Sequence, residues 1–177
     1  MPNRQGVATR IADTGDDQAS VETPRGWRSL LRPGRPHAGS GFGLLFLDLD
    51  AFKAVNDARG HEAGDALLRA VGETLRGALR GGDVAGRWGG DEFVAVLPSV
   101  TRAALTAAAD RCRALVAAAH PDGPGPGTRV TISVGAALAR PGEDPDVLIA
   151  RADDAMYASK LAGRDRVTLA PDAAPAP

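Results

Sequence analysis

Asp48 and Asp50 close the apolar run Gly43-Leu44-Leu45-Phe46-Leu47, and Asp91 and Glu92 follow the glycine pair Gly89-Gly90. Carboxylates gathered at a strand end and at a hairpin tip are costly anywhere but in solvent or beside a cation. If the two strands are neighbours, Asp48 and Asp91 lie side by side. That is how a divalent cation is held for phosphoryl or nucleotidyl transfer. Taken singly, each has a plainer reading: Asp48 as a loop residue, and Gly-Gly-Asp-Glu as an ordinary polar hairpin. The paired glycines would let the turn take positive φ and let another group approach its backbone.

These residues need elements to position them. Gly43 to Asp50 reads as a buried central strand covered on both faces, and Asp50 as the cap of a short helix through Ala51, Phe52, Lys53 and Val55. Asn56-Asp57-Ala58-Arg59-Gly60-His61 breaks that helix. Ala63 to Leu79 is amphipathic, with Leu67, Leu68, Val71, Leu75 and Leu79 at helical spacing. Asp83-Val84-Ala85 and Val94-Ala95-Val96-Leu97 flank the hairpin. Thr101 to Ala119 is a helix with Leu105, Ala108, Cys112 and Leu115 on its apolar stripe, which makes Cys112 a core residue. Arg129 to Ala139 alternates as a half-buried strand. Asp144-Pro145 starts a helix that runs to about Leu161 and ends at Gly163, and Arg166 to Leu169 is a last strand. The order β-α-α-β-β-α-β-α-β predicts an α/β fold, a central mixed sheet flanked by helices.

At 177 residues the chain is expected to be one domain over 41–170, with a loosely packed or disordered segment 1–40 and a disordered tail 171–177. Gly26-Trp27-Arg28-Ser29-Leu30-Leu31 is a candidate helical turn. Gly39-Ser40-Gly41-Phe42-Gly43 has the glycines of a phosphate loop but leads into a strand, so it reads as a linker. Pro121 to Gly127 is a Pro/Gly loop. An apolar fraction of 44% is enough for a core, and a net charge of −1 excludes a general nucleic-acid binder. The single cysteine excludes an internal disulfide and a four-thiolate metal site. No apolar run approaches the ~20 residues of a membrane span, and the N-terminus lacks a signal-peptide core. The expected location is cytoplasmic.

The stretch Arg87-Trp88-Gly89-Gly90-Asp91-Glu92-Phe93 resembles the signature of the GGDEF family, the diguanylate cyclases. The likeness extends through Asp48-x-Asp50-x-Phe52-Lys53-x-x-Asn56-Asp57-x-x-Gly60-His61-x-x-Gly64-Asp65 and Arg151-Ala152-Asp153-x-Ala155-Met156-Tyr157-x-x-Lys160-x-x-Gly163-Arg164, over roughly residues 42 to 169. It implies a palm-like nucleotidyl-cyclase fold that joins two GTP into cyclic di-GMP with release of pyrophosphate. It also implies a divalent cation, Mg²⁺ or Mn²⁺, held by Asp48, Asp91 and the Leu49 carbonyl. Glu92 would bind a second metal or help deprotonate the attacking 3′-hydroxyl. Asn56 and Asp65 match the pair that reads the guanine edge, chemistry that an amide and a carboxylate can perform. Gly89 and Gly90 would admit GTP against the hairpin, His61 would orient its loop, and Lys160 and Arg164 match the basic pair on the β- and γ-phosphates. Lys53 is a further phosphate candidate.

Arg80-Gly81-Gly82-Asp83 stands at the spacing of the family's inhibitory Arg-x-x-Asp site for the product, and Arg111 falls where a second inhibitory-site arginine occurs. The resemblance further implies a homodimer, since each family site holds one GTP and two must face each other. The family's opening Leu-Thr-Gly-Leu segment has no counterpart; only Thr23-Pro24-Arg25-Gly26-Trp27 stands nearby. Two readings follow: an active cyclase with product inhibition, or a catalytically silent domain that binds GTP or cyclic di-GMP for a separate regulatory protein.

Overall fold

The computed structural model describes residues 41–119 and 129–172. Along the chain, β1 (Gly41–Leu49) is followed by α1 (Phe52–Arg59), α2 (His61–Ala78), β2 (Val84–Gly89), β3 (Glu92–Val100), α3 (Arg102–Ala119), β4 (Ile132–Leu138), α4 (Pro145–Leu161) and β5 (Val167–Leu169). The five strands form one sheet in the order β2-β3-β1-β4-β5. All pairs are antiparallel except β4 with β5. The sheet is therefore mixed and helix-flanked, in the expected element order. The N-terminal segment 1–40, the loop Pro121 to Gly127 and residues 173–177 lie outside the described residues.

β1 is central because its run of apolar residues serves both faces at once. Strand alternation sends Leu45, Leu47 and Leu49 into one core, with Val71 and Leu75 of α2 and Leu105 and Cys112 of α3. It sends Leu44 and Phe46 into a second core, with Leu148, Ala152 and Met156 of α4. Asp48 is the next residue on the α4 face. Burial pushes the Cys112 thiol up to about 11, which makes it an inert core residue.

Three local expectations are corrected. Asp50 does not cap α1, whose cap is Ala51 in the left-handed region (φ 58°) with no side-chain bond. The Asp50 carboxylate is instead taken by the hydroxyls of Thr131 and Ser133. β4 starts at Ile132 rather than Arg129 because its partner runs out there, Leu49 pairing with Ile132. On α3, Leu115 is 42% exposed and Val116, four residues after Cys112, fills the core position. The helix starting at Asp144-Pro145 runs to Leu161, as expected. Its start is as read, with Asp144 accepting from the Asp146 amide at 2.8 Å. Pro171 and Asp172, at the start of the expected tail, have carbonyls bonded by Arg140 and Arg151.

Gly135 of β4 sets how closely α4 can lie on the sheet. A Cβ there would meet the Ala152 carbonyl oxygen at 1.9 Å and the Met156 nitrogen at 2.2 Å, both backbone atoms that cannot swing aside. Gly135→Ala should therefore lower stability by about 1–3 kcal/mol, the usual cost of overpacking. Gly77→Ala, where a Cβ meets open space, should stabilise α2 by up to about 1 kcal/mol. Urea unfolding checks both. A Gly135→Ala midpoint equal to wild type would contradict the close contact.

Candidate active site

The end of β1 and the tip of the β2–β3 hairpin are locked together. Asp48 pairs with Glu92 in register, and the Leu49 amide donates to the Asp91 carbonyl at 3.1 Å. Gly90 turns the hairpin with φ 55°, and Arg87 Nε bonds its carbonyl at 2.8 Å. Gly89 and Gly90 are both exposed, and a Cβ on either would meet open space. A cavity of about 190 Å³ opens here, lined by Asp48, Leu49, Asp91, Lys53, Lys160 and Arg164 among others. Residues from three separate sequence motifs thus line one concavity.

Lys160 reaches it because α4 repeats every 3.6 residues. Met156 is buried in the second core, and Lys160, one turn on, lies over the same sheet face. Its Nζ sits 2.7 Å from Asp48 Oδ2. Burial raises the Asp48 pKa, the lysine opposes the rise, and the charges of Asp91 and Asp50 add to it. Glu92 does not line the cavity but lies on the same face as Asp48. Its pKa is raised first by burial and then by Asp48, Asp153 and Asp91.

Asp153 was legible only as a motif letter. Its role in this field was available from its spacing, since it lies seven residues before Lys160, two helical turns along α4. Its own pKa is also raised, by burial and by Asp154. The other residue missed is Asp50, which the sequence offered only as a helix cap.

Among the described residues, no group of three or more His, Cys, Asp or Glu side chains forms a complete metal cage. The donors present do fit a cation that takes one or two carboxylates and completes its shell with phosphate oxygens and water, as Mg²⁺ does. Asp48 and Asp91 are such carboxylates, and the Leu49 backbone lines the same cavity.

The other predicted residues are placed as follows. Asn56 of α1 packs against Gly64, where a Cβ would come within 1.8 Å of its Oδ1. That Oδ1 is buried and has no hydrogen-bond partner. Asp65, next to Gly64 on α2, is exposed, and neither Asn56 nor Asp65 lines the cavity. His61 is exposed at the start of α2.

Arg80 and Asp83 form a separate cluster. Arg80 Nε bonds Asp83 Oδ1 at 3.1 Å, and Arg80 Nη2 donates to the Pro98 and Ser99 carbonyls at 2.9 and 3.2 Å. The Asp83 side chain is 1% exposed. Arg111 Nε bonds the Ala78 carbonyl at 2.6 Å, two residues before Arg80.

Because the folded pKa of Glu92 is raised, its ionised form costs the folded state stability at neutral pH. That cost is fully present above the folded pKa and disappears as pH falls through it to the ordinary value of 4.5. With chelator present, Glu92→Gln should therefore raise the urea midpoint at pH 7.5, and the gap to wild type should narrow towards pH 4. A wild-type protein more stable than the variant at pH 7.5 would contradict the crowding of charge.

Comparison with known proteins identifies the family. The family described as diguanylate cyclase, GGDEF domain, matches residues 29–166. Diguanylate cyclase DgcM of Escherichia coli is 40% identical over 129 residues, covering 73% of this chain and 31% of the relative. Diguanylate cyclase DgcP of Pseudomonas aeruginosa is 38% identical over 170 residues, covering 96% of this chain and 23% of the relative. The chain thus spans less than a third of the length of either relative. The crystal structure of the GGDEF domain of DgcB from Caulobacter crescentus, in complex with c-di-GMP, superposes with a TM-score of 0.68 at 33% identity, covering 75% of this chain and 79% of that one. The chain belongs to the GGDEF-domain family of diguanylate cyclases.

Proposed function

We propose that this chain joins two GTP into cyclic di-GMP with release of pyrophosphate, acting as an antiparallel homodimer with one GTP per site. The observation that carries this reading is the convergence of Asp48, Asp91, Lys160 and Arg164 on one cavity. Asp48 and Asp91, with the Leu49 carbonyl, hold a divalent cation, Mg²⁺ or Mn²⁺. When bound, that cation neutralises charge on the phosphate oxygens. Lys160 and Arg164 bond the β- and γ-phosphates and stabilise the charge that builds on the leaving pyrophosphate, with Lys53 as a further phosphate contact. Asn56 and Asp65 address the guanine edge. The unpartnered Asn56 Oδ1 is an acceptor waiting for a donor. The exposed Gly89-Gly90 backbone lets the nucleotide lie against the hairpin.

In the chemical step, which occurs twice so that each GTP is attacked once and two pyrophosphates are released in all, the 3′-oxygen of one GTP bonds the α-phosphorus of the other. The bond from that phosphorus to the bridging oxygen breaks, pyrophosphate leaves, and Glu92 takes the proton of the 3′-hydroxyl. A carboxylate crowded by others is a better base than a solvated one, which suits Glu92 to this task. Cyclic di-GMP inhibits from the separate Arg80–Asp83 cluster, with Arg111 alongside. Arginine suits that role because its planar fork pairs with phosphate or stacks on guanine. A separate regulatory protein is a further proposed partner. No helix among the described residues is long and apolar enough to cross a membrane.

The test is purified protein with GTP and Mg²⁺, the products separated by chromatography and identified by mass. Cyclic di-GMP should form at a rate per subunit that rises with protein concentration. Asp91→Ala should abolish it, and Glu92→Gln should lower it by about 10²–10⁴-fold. Arg80→Ala should keep the initial rate and lose the inhibition. No product at high protein concentration, with cyclic di-GMP still bound, would replace the cyclase with the silent binding domain.

A further inference from the structure

Asp50 is one of four buried polar residues among the described ones. Both of its carboxylate oxygens are engaged. Oδ1 accepts from Ser133 Oγ at 2.7 Å. Oδ2 accepts from Thr131 Oγ1 at 2.7 Å and from the Asp165 amide at 3.2 Å. The last bond ties the end of β1 to the turn that follows α4.

That turn is strained. Gly163, Arg164 and Asp165 all have positive φ, at 115°, 63° and 44°. Only glycine adopts this region without penalty; arginine and aspartate do so when their surroundings over-determine them. The Arg164 amide donates to the Ser159 carbonyl at 3.0 Å, and Val134 of β4 donates to the Arg166 carbonyl at 2.9 Å. Arg113 of α3 holds the Asp165 side chain at 2.9 Å. Strand β1, strand β4 and helix α3 therefore grip the turn from three sides. The residue at its apex, Arg164, lines the cavity. A relaxed turn with glycine at these positions would close α4 onto β5 equally well, but it would not fix a guanidinium.

We propose that Asp50 is a positioning residue: its carboxylate holds the Gly163–Arg166 turn in its left-handed form and so presents Arg164 to the nucleotide phosphates. With its oxygens filled by Ser133, Thr131 and Asp165, Asp50 serves the phosphate arm, while Asp48 and Asp91 serve the cation. This role rests on the cavity being the GTP site.

Two measurements on the full chain test it. Hydrogen exchange without nucleotide reads the contact itself: Asp50→Asn should speed exchange of the Asp165 amide. Thr131→Val, which leaves Asp50 in place but removes its neighbour on Oδ2, should have a smaller effect. Binding of 3′-deoxy-GTP, which lacks the attacking hydroxyl, reads the role. Asp50→Asn should weaken it about tenfold, the scale on which supporting partners act, and should weaken it no further in an Arg164→Ala background. Unchanged exchange at Asp165 overturns the proposal. So does a loss of affinity that persists in full without Arg164, which would place Asp50 with the cation instead. Wild-type chain that fails to bind 3′-deoxy-GTP overturns the GTP-site reading and the role with it, while the exchange result still reports separately whether the contact exists.

Discussion

The ion pair between Asp48 and Lys160 is the contact on which the site depends. It joins the end of the central strand to the last turn of α4, two elements that also pack through the second apolar core. Around it, Asp50, Asp91, Glu92 and Asp153 place negative charge within reach of one ammonium. Burial and mutual repulsion push Asp48, Glu92 and Asp153 up from the ordinary carboxylate range. Lys53 and Arg164 line the same cavity as Lys160 and the carboxylates, so the site presents both signs, and a divalent cation with nucleotide phosphates is the proposed ligand set that satisfies them.

The rest of the fold serves to hold this arrangement rigid. Alternation along β1 gives Leu45, Leu47 and Leu49 to one core and Leu44 and Phe46 to the other, so Asp48 is carried to the α4 face by two packed layers. Gly135 lets α4 lie directly on β4, and that close approach brings Lys160 within bonding distance of the strand end. Asp50 then ties the turn beyond α4 back to β1 through the Asp165 amide. Loosening either contact would move a cation relative to a carboxylate, and displacements of about 1 Å are expensive at such sites.

Much of this was legible in the sequence. The β1 run, the paired glycines of the hairpin and the Asp-Pro start of α4 each carry a local mechanism that tertiary structure did not override. That Asp48 and Asp91 would meet was legible because strand ends and hairpin tips leave few places for carboxylates to go. The misses have a common cause. Asp50 was read as a cap because a carboxylate before a short helix usually is one, whereas its partners Thr131, Ser133 and Asp165 lie far along the chain. Asp153 was overlooked because it is exposed on α4, as acids on a helix usually are, and it bears on the site through its charge on Glu92. Leu115 and Val116 are both apolar and adjacent, so period alone left the buried one ambiguous; packing chose Val116. Asn56 and Asp65 fall together in the motif, yet the cavity beside Asp48 does not include them.

The carboxylates at the end of β1 and the hairpin tip are proposed to form a cation site that Lys160 balances in the free chain. Mn²⁺ binding to nucleotide-free protein, followed by electron paramagnetic resonance, tests it most directly. The account predicts that Lys160→Met, which removes the competing ammonium, binds Mn²⁺ several-fold more tightly than wild type, and that Asp91→Ala loses the site. Equal or weaker binding by Lys160→Met, or wild-type binding by Asp91→Ala, would contradict it.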